Sequence, residues 1–308
     1  VIISASRRTD IPAFYGEWFA GRVREGYFIR INPFNPAQRK KISLERPEVD
    51  AFVFWTKYPA AFMKYLALLD TEGYNYYFLY TLNDYPALFE PGVPGLAARI
   101  DAFLRLSAAL GPERVIWRYD PIIISRTTPV EYHLEAFTRL AERLSGSAKR
   151  VIISFLDLYP KVKRRLERMV SGEELDLTDP REAGERERLE RLMAHLSKAA
   201  VENGLEIYSC AEKIDLSRCG VKPSSCIDAA LLNRLFGLKL PQTKDPAQRP
   251  ECRCAPAVDM GVYDTCGFHC GYCYANGDAR RVAEKMKRHD PKGEEIIRVD
   301  RLQLTVDS

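Results

Sequence analysis

The chain has 308 residues, 46% of them hydrophobic, and a formal net charge of +4. That is enough apolar material for one large core or two domains. No run of eighteen apolar residues occurs, which excludes a membrane-spanning helix, and the mild positive charge does not by itself call for nucleic acid. The apolar start, Val1-Ile2-Ile3, is too short for a signal peptide and runs into polar SASRRTD, so a cytoplasmic protein is expected.

In chain order, VIIS (1–4) reads as a first strand. YFIRINPFNPAQRKKISL (27–44) reads as a hairpin with a long Pro/Asn turn. Further strands are expected at AFVFWT (51–56), YYFLYTL (76–82), RVIWRY (114–119), RVIISFL (150–156), LEIYSC (205–210) and AVDMGVY (257–263). They are nearly continuous apolar runs, as strands buried on both faces should be. Amphipathic helices lie between most of them. One is marked by Leu96, Ile100, Phe103, Leu104 and Leu110, a second by Leu134, Phe137, Leu140, Ala141 and Leu144, and a third by Leu189, Leu192, Met193, Leu196 and Ala200. Residues 171–188 are charged and read as an exposed connector. Residues 211–256 read as an irregular, cysteine-containing insert around a short helix, CIDAALLNRLFG. A last strand, IIRVDRLQL, is expected after Asp290.

Repeated strand–helix alternation means an α/β protein with a parallel sheet. A (β/α) barrel or partial barrel is favoured, because every strand ends in polar groups: SRRTD (6–10), Thr56-Lys57, LND (82–84), RYDP (118–121), Asp157 and CAEK (210–213). Barrel strand ends converge on one face, where active sites sit. No G-x-G-x-x-G follows a strand, so a dinucleotide-binding sheet has little support. The expected organisation is a main barrel portion at 1–210, the insert at 211–256, and a cluster strand, loop and helix at 257–308 that complete the barrel.

The eight cysteines crowd into the last third of the chain. Without a leader, such clustering favours metal or iron–sulfur ligation over disulfides. Cys266, Cys270 and Cys273 stand at C-x3-C-x2-C. Three thiolates on a [4Fe-4S] cluster leave one iron open to a small molecule. The alternatives are zinc, with His269 or a distant cysteine as fourth ligand, or inert buried thiols.

CGFHCGYC resembles the signature of radical S-adenosylmethionine (SAM) enzymes. The resemblance implies that Cys266, Cys270 and Cys273 hold the cluster and that SAM chelates the fourth iron. Its reductive cleavage would yield a 5′-deoxyadenosyl radical that abstracts hydrogen. YDTCGFHCGYCYAN also resembles the loops of the spore photoproduct lyase-like branch, which makes nucleic acid a candidate substrate. Through SASRRTDIPAFYGEWF, FWTKYP, WRYDPII, CAEK, KDPAQRPECRC and DMGVYDTCGFHCGYCYAN, most of the chain resembles a bacterial and archaeal family of unknown function. That family carries a C-terminal cysteine cluster of radical SAM type. In radical SAM enzymes the cluster loop follows the first barrel strand, whereas here it follows the last. The reading is a circular permutation, which places the first strand beside the cluster strand and Ser6–Asp10 beside the loop. No GGE segment for the SAM amino group is present. An external electron donor such as ferredoxin or flavodoxin is implied.

Cys210, Cys226, Cys252 and Cys254 suit a second centre, a closed [4Fe-4S] cluster in preference to zinc, or else buried small hydrophobes. Cys226 would open the insert helix, whose dipole would favour a thiolate. Cys219 is left over. Arg7, Arg8, Asp10, Lys57, Asp84, Arg118, Asp120, Asp157 and Glu212 are candidate catalytic residues lining the barrel mouth, or else a salt-bridge network capping it. Arg7, Tyr272, Tyr274 and Asn276 are candidate SAM contacts. Tyr80, Tyr119, Tyr272 and Tyr274 are hydrogen-atom donors, stacking platforms or packing residues. His133 and His195 read as surface or helix-packing residues. The basic runs Arg39–Lys41 and Lys161–Arg165 read as solvated faces. The leading expectation is a radical SAM-type enzyme of unknown substrate. Its rivals are a SAM-independent electron-transfer or redox-sensing iron–sulfur protein and a nucleic-acid repair or binding protein with structural clusters.

Overall fold

The computed structural model describes residues 1–33, 35–169 and 176–298. Its contacts divide the chain into two compact units. One comprises Val1–Tyr76, Ala257–His269 and Cys273–Ser308, the other Tyr77–Pro256 and Cys270–Tyr272.

The first unit opens with β1 (Ile2–Ala5), buried along its whole length. Asp10 then starts α1 (Ile11–Phe14) by accepting a hydrogen bond from the Ala13 amide at 2.9 Å, with Pro12 where a missing N–H costs nothing. After α2 (Gly16–Glu25) comes the expected hairpin, β2 (Tyr27–Asn32) against β3 (Asn35–Ser43). Its pairing reaches Asn32 and Asn35, so the turn is short, not long. The fully buried β4 (Ala51–Thr56) pairs parallel to β1, and α3 (Leu66–Thr71) follows.

The second unit repeats strand and helix: β5 (Tyr76–Thr81), α4 (Leu96–Leu110), β6 (Val115–Ile122), α5 (Val130–Leu144), β7 (Arg150–Phe155), α6 (Pro160–Met169), α7 (Arg186–Glu202) and β8 (Glu206–Cys210). Residues 211–256 carry a strand the sequence did not suggest, β9 (Lys222–Ser224), parallel to β8, and then α8 (Ala229–Phe236). The expected faces of α5 and α7 are the ones that pack; Leu134 is only half-buried. That of α4 is rotated, so Ile100, Phe103 and Leu106 are buried together with Arg99 and Ala102, while Leu96, Leu104 and Leu110 are half-exposed.

Back in the first unit, β10 (Val258–Asp259) pairs parallel to β1, and α9 (Ala279–Lys287) follows. The seven-residue strand expected at 257–263 thus shrinks to two residues. The Asp259 carboxylate accepts from Ser4 Oγ (2.7 Å) and the amides of Arg7 (2.9 Å) and Gly261 (2.8 Å), which turns the chain out of the sheet. Residues 296–298 of the expected last strand are irregular, and the rest of it lies outside the described residues.

The protein is therefore mixed α/β. Among the described residues eight strands run parallel, in the order β10-β1-β4 in the first unit and β5-β6-β7-β8-β9 in the second. The second unit's order follows the chain without a reversal, so it holds no switch point of the doubly wound kind. Its helix α5 packs against both α4 and α7, as successive crossovers of one hand require. No helix among the described residues is long and apolar enough to cross a membrane.

Candidate functional site

The loop that carries the C-x3-C-x2-C spacing lacks helix and strand and is held by side chains from the segment after β1. In the first unit, Thr9 Oγ1 (3.1 Å) and Tyr15 OH (2.6 Å) both donate to the carbonyl of Thr265, directly before Cys266. Tyr274 OH, directly after Cys273, donates to the Arg7 carbonyl at 2.9 Å. The loop also closes on itself. The Asp264 amide donates to Ala275 O (3.0 Å), the Asn276 amide group donates to Cys266 O (2.8 Å), and the Gly277 amide donates to the Asp264 carboxylate. Asp264 adopts φ 61°, a left-handed turn it tolerates better than a branched residue would. Cys266 and Cys273 remain half-exposed.

Close approach explains the loop's start. A Cβ on Gly261 would stand 1.9 Å from Ser6 Oγ. In the second unit, the short segment Cys270–Tyr272 has its own anchors. The Gly271 amide donates to Phe89 O (2.8 Å), Arg165 Nε donates to Gly271 O (2.6 Å), and Tyr272 OH donates to Glu90. Arg165, expected on a solvated face, is thus turned inward, whereas Lys161, Lys163 and Arg164 are exposed, as are Arg39–Lys41.

The remaining expected residues of the first unit divide by task. The Arg7 guanidinium lies over the Trp55 ring at 5.7 Å. Arg8 lies over Tyr263 at 5.1 Å and 3.9 Å from Asp259. Asp10 accepts from the amides of Ala13 and Lys57 (2.6 Å for the latter), so its placement is that of a cap. Burial raises its carboxyl to about 7 despite those amides. Lys57 contributes its backbone to that contact.

In the second unit the strand ends form a charge network. Arg118 pairs with Asp120 at 2.8 Å, and Ser154 Oγ also donates to Asp120. Asp157 meets Arg181 (3.2 Å) and Arg249. Arg181 also meets Asp179 (2.7 Å) and Glu212 (3.3 Å), while the Phe155 amide donates to Glu212 at 2.8 Å. Burial holds the Glu212 carboxyl above its ordinary range. The sequence reading missed Arg181 because it placed residues 171–188 in an exposed connector. Residues 171–175 lie outside the described residues, but Asp179, Pro180 and Arg181 are at least half-buried. Asp84 stands elsewhere in this unit, paired with Arg139 of α5.

Four thiols gather at the end of β8. Cys210 Sγ and Cys226 Sγ are 3.2 Å apart. Cys226 also contacts the thiol of Cys254, which in turn contacts that of Cys252. Contacts with neighbouring thiols, then burial, push the Cys226 and Cys252 thiols well above the ordinary value. This corrects the expected helix-favoured thiolate. Asp228, not Cys226, caps α8, through the Leu231 amide at 2.9 Å, so Cys226 lies outside the reach of the helix dipole. Cys219 ends a 3-10 turn beside Glu190. Among the described residues no group of three or more His, Cys, Asp or Glu side chains is placed so that it could hold a metal ion as it stands.

Two of the tyrosines are packing residues. Tyr80 OH donates to Arg99 O (2.8 Å), and Tyr119 OH meets His133 Nδ1 (2.8 Å). His133 is a fully buried packing residue of α5, the second of its two expected placements, and burial lowers its imidazole to about 4. His195 meets Thr138 Oγ1 of α5 at 3.1 Å.

A family model matches residues 2–275, nearly the whole chain. The chain belongs to the DUF1848 family, a domain of unknown function. The match takes in both the segment after β1 and the cysteine loop it holds. No curated protein and no solved structure matches the chain.

Proposed function

We propose that this DUF1848 protein is an iron–sulfur enzyme of radical SAM type, built on a partial (β/α) barrel whose cluster strand has moved to the C-terminal side. Cys266, Cys270 and Cys273 would hold a [4Fe-4S] cluster with one open iron, and SAM would occupy that iron. When bound, the pair supplies one chemistry: an electron from an external donor such as ferredoxin or flavodoxin breaks a C–S bond of SAM, giving methionine and a 5′-deoxyadenosyl radical that takes a hydrogen atom from substrate.

One observation carries this reading. The loop is pinned at both ends, by Thr9 and Tyr15 on the Thr265 carbonyl and by Tyr274 on the Arg7 carbonyl, while Cys266 and Cys273 stay half-exposed and Cys270 is buried. A purely structural zinc site would be expected to enclose its ligands. The donor chemistry suits the group, because soft thiolates favour iron–sulfur ligation. The parallel pairing of β10 with β1 is what a permuted barrel requires of its first and last strands. Arg7 and Arg8, directly after β1, have guanidinium groups suited to a carboxylate such as that of SAM.

The test is anaerobic reconstitution with iron and sulfide, followed by EPR of the dithionite-reduced protein with and without SAM. A cluster signal that SAM alters, with release of 5′-deoxyadenosine, is expected. A signal indifferent to SAM would replace the reading with a SAM-independent redox protein, and a protein that takes up no iron would end it.

A further inference from the structure

The four thiols of the second unit come from three separate stretches of chain, and the fold invests in bringing them together. Cys210 is the last residue of β8, aligned with Ser224 of β9. The Cys226 carbonyl accepts from Tyr77 OH. The Ala255 amide donates to Ile227 O (3.0 Å), the Asp245 amide to Cys254 O (2.8 Å), and the Cys252 amide to Arg249 O (3.0 Å). Cys226, Cys252 and Cys254 are buried, and Cys210 is half-buried.

Four neutral thiols would gain little from this crowding, since S–H is a weak donor and sulfur a weak acceptor. Thiolates around a soft cation gain a great deal. A second observation points the same way. The Ile227 amide donates to Cys254 Sγ at 3.4 Å, so a backbone N–H is aimed at this sulfur. Arg118 acts electrostatically on Cys226, and Cys210 acts on Arg249. Two cations therefore stand by the cage, each also paired with a carboxylate, Asp120 and Asp157 respectively.

Size selects the occupant. Tetrahedral zinc, with Zn–S bonds of about 2.3 Å, holds its sulfurs about 3.8 Å apart along each edge. The Cys210–Cys226 separation of 3.2 Å lies just inside that value, so small side-chain rotations would seat the ion. A four-iron cube places an iron of its own behind every thiolate and holds the sulfurs much further apart. The cube therefore demands a larger outward movement of the four sulfurs than zinc does.

We propose that Cys210, Cys226, Cys252 and Cys254 form a closed tetrathiolate zinc site that ties residues 211–256 to the end of β8. Binding one Zn²⁺ releases four thiol protons and leaves a site of net charge −2, beside Arg118 and Arg249. The zinc is structural, because four protein sulfurs leave no position for water or substrate. This inference does not rest on the radical SAM reading.

The experiment is metal analysis of the full-length protein, purified anaerobically from cells supplied with both iron and zinc. Wild type should carry about one zinc per chain. The triple variant Cys266→Ala/Cys270→Ala/Cys273→Ala should keep that zinc, and Cys252→Ser/Cys254→Ser should lose it. In case the double variant does not fold, wild type is also loaded with Co²⁺. The expected result is the intense sulfur-to-cobalt charge transfer and the visible bands of a tetrahedral four-thiolate site, both erased by zinc. Four outcomes would overturn the proposal: a zinc-free wild type with about eight irons per chain, a Cys210–Cys226 disulfide found by mass spectrometry in place of metal, zinc lost with the triple variant, or a cobalt spectrum without four-thiolate character. Zinc present with no iron at all would leave this proposal standing and sink the proposed function instead.

Discussion

The protein carries two cysteine regions built on opposite plans. In the loop after β10, three cysteines lie within eight residues, and Cys266 and Cys273 are half-exposed. At the end of β8, four cysteines come from three separate stretches of chain between residues 210 and 254, and three are buried. The loop is held by hydrogen bonds from Thr9 and Tyr15 to the Thr265 carbonyl and from its own Tyr274 hydroxyl to the Arg7 carbonyl. The corner is held by packing and thiol contacts, so its sulfurs are part of the core. On the two proposals above, a reactive site and a structural one use the same side chain. What separates them is how much of the surrounding free energy depends on the sulfur.

Cysteine removal tests this contrast most directly. Cys273→Ala should lower 5′-deoxyadenosine release by roughly 100-fold or more, with the melting temperature of the metal-free protein nearly unchanged, because a half-exposed sulfur contributes little to folding. Cys226→Ala should do the reverse to stability, costing about 1–2 kcal/mol even without metal, through the buried volume it vacates. Denaturation of both variants beside iron and deoxyadenosine assays checks the pair. Equal destabilisation would erase the distinction.

The loop's support should also be pH-sensitive through Asp10. Its folded carboxyl titrates near 7 against an ordinary 3.8, so the folded state binds the proton more tightly. Its contribution is fully present below about pH 4 and is lost as pH rises through 7, a change of at most about 4 kcal/mol. Asp10→Asn should flatten that part of the stability profile between pH 4 and 7. Parallel profiles for variant and wild type would show that Asp10 is ionised throughout.

Gly261→Ala should cost about 1–3 kcal/mol by overpacking against Ser6, read as a lower denaturation midpoint and weaker iron retention. An unchanged midpoint would mean that the start of the loop shifts freely. The smallest effect belongs to Tyr15→Phe, which removes one hydrogen bond to Thr265 O and should cost about 1 kcal/mol. Its informative readout is a broadened cluster EPR signal. An unaltered signal would show that Thr9 alone suffices to position Cys266.

Much of the second unit was legible in sequence because its strands are continuous apolar runs and its helices α5 and α7 show one clean stripe each. The stripe of α4 misled slightly, since it counts apolar residues only, whereas the packed face includes Arg99, whose guanidinium bonds Asn83 O and Glu90. The short β10 was overread for a related reason. AVDMGVY has strand composition, but Asp259 and Gly261 bend it away through contacts with Ser4, Arg7 and Ser6 from the far end of the chain. Arg181 and Arg249 escaped notice because nothing near them in sequence shows the carboxylates they meet.

By itself the sequence determined the α/β class, the burial of the strands, the polar character of their ends and the C-x3-C-x2-C spacing. Each of these is a property of neighbouring residues: periodicity, composition and chain reach. The permuted reading also placed the first strand beside the cluster strand and grouped Cys210 with Cys226, Cys252 and Cys254, but only the tertiary structure decided that β10 is two residues long, that Thr9 and Tyr15 grip the carbonyl before Cys266, and that Arg181 and Arg249 meet Asp157. Those contacts join residues far apart in the chain. Their partners are chosen by which surfaces the packed sheets and helices bring within hydrogen-bonding distance, and no local pattern encodes that choice.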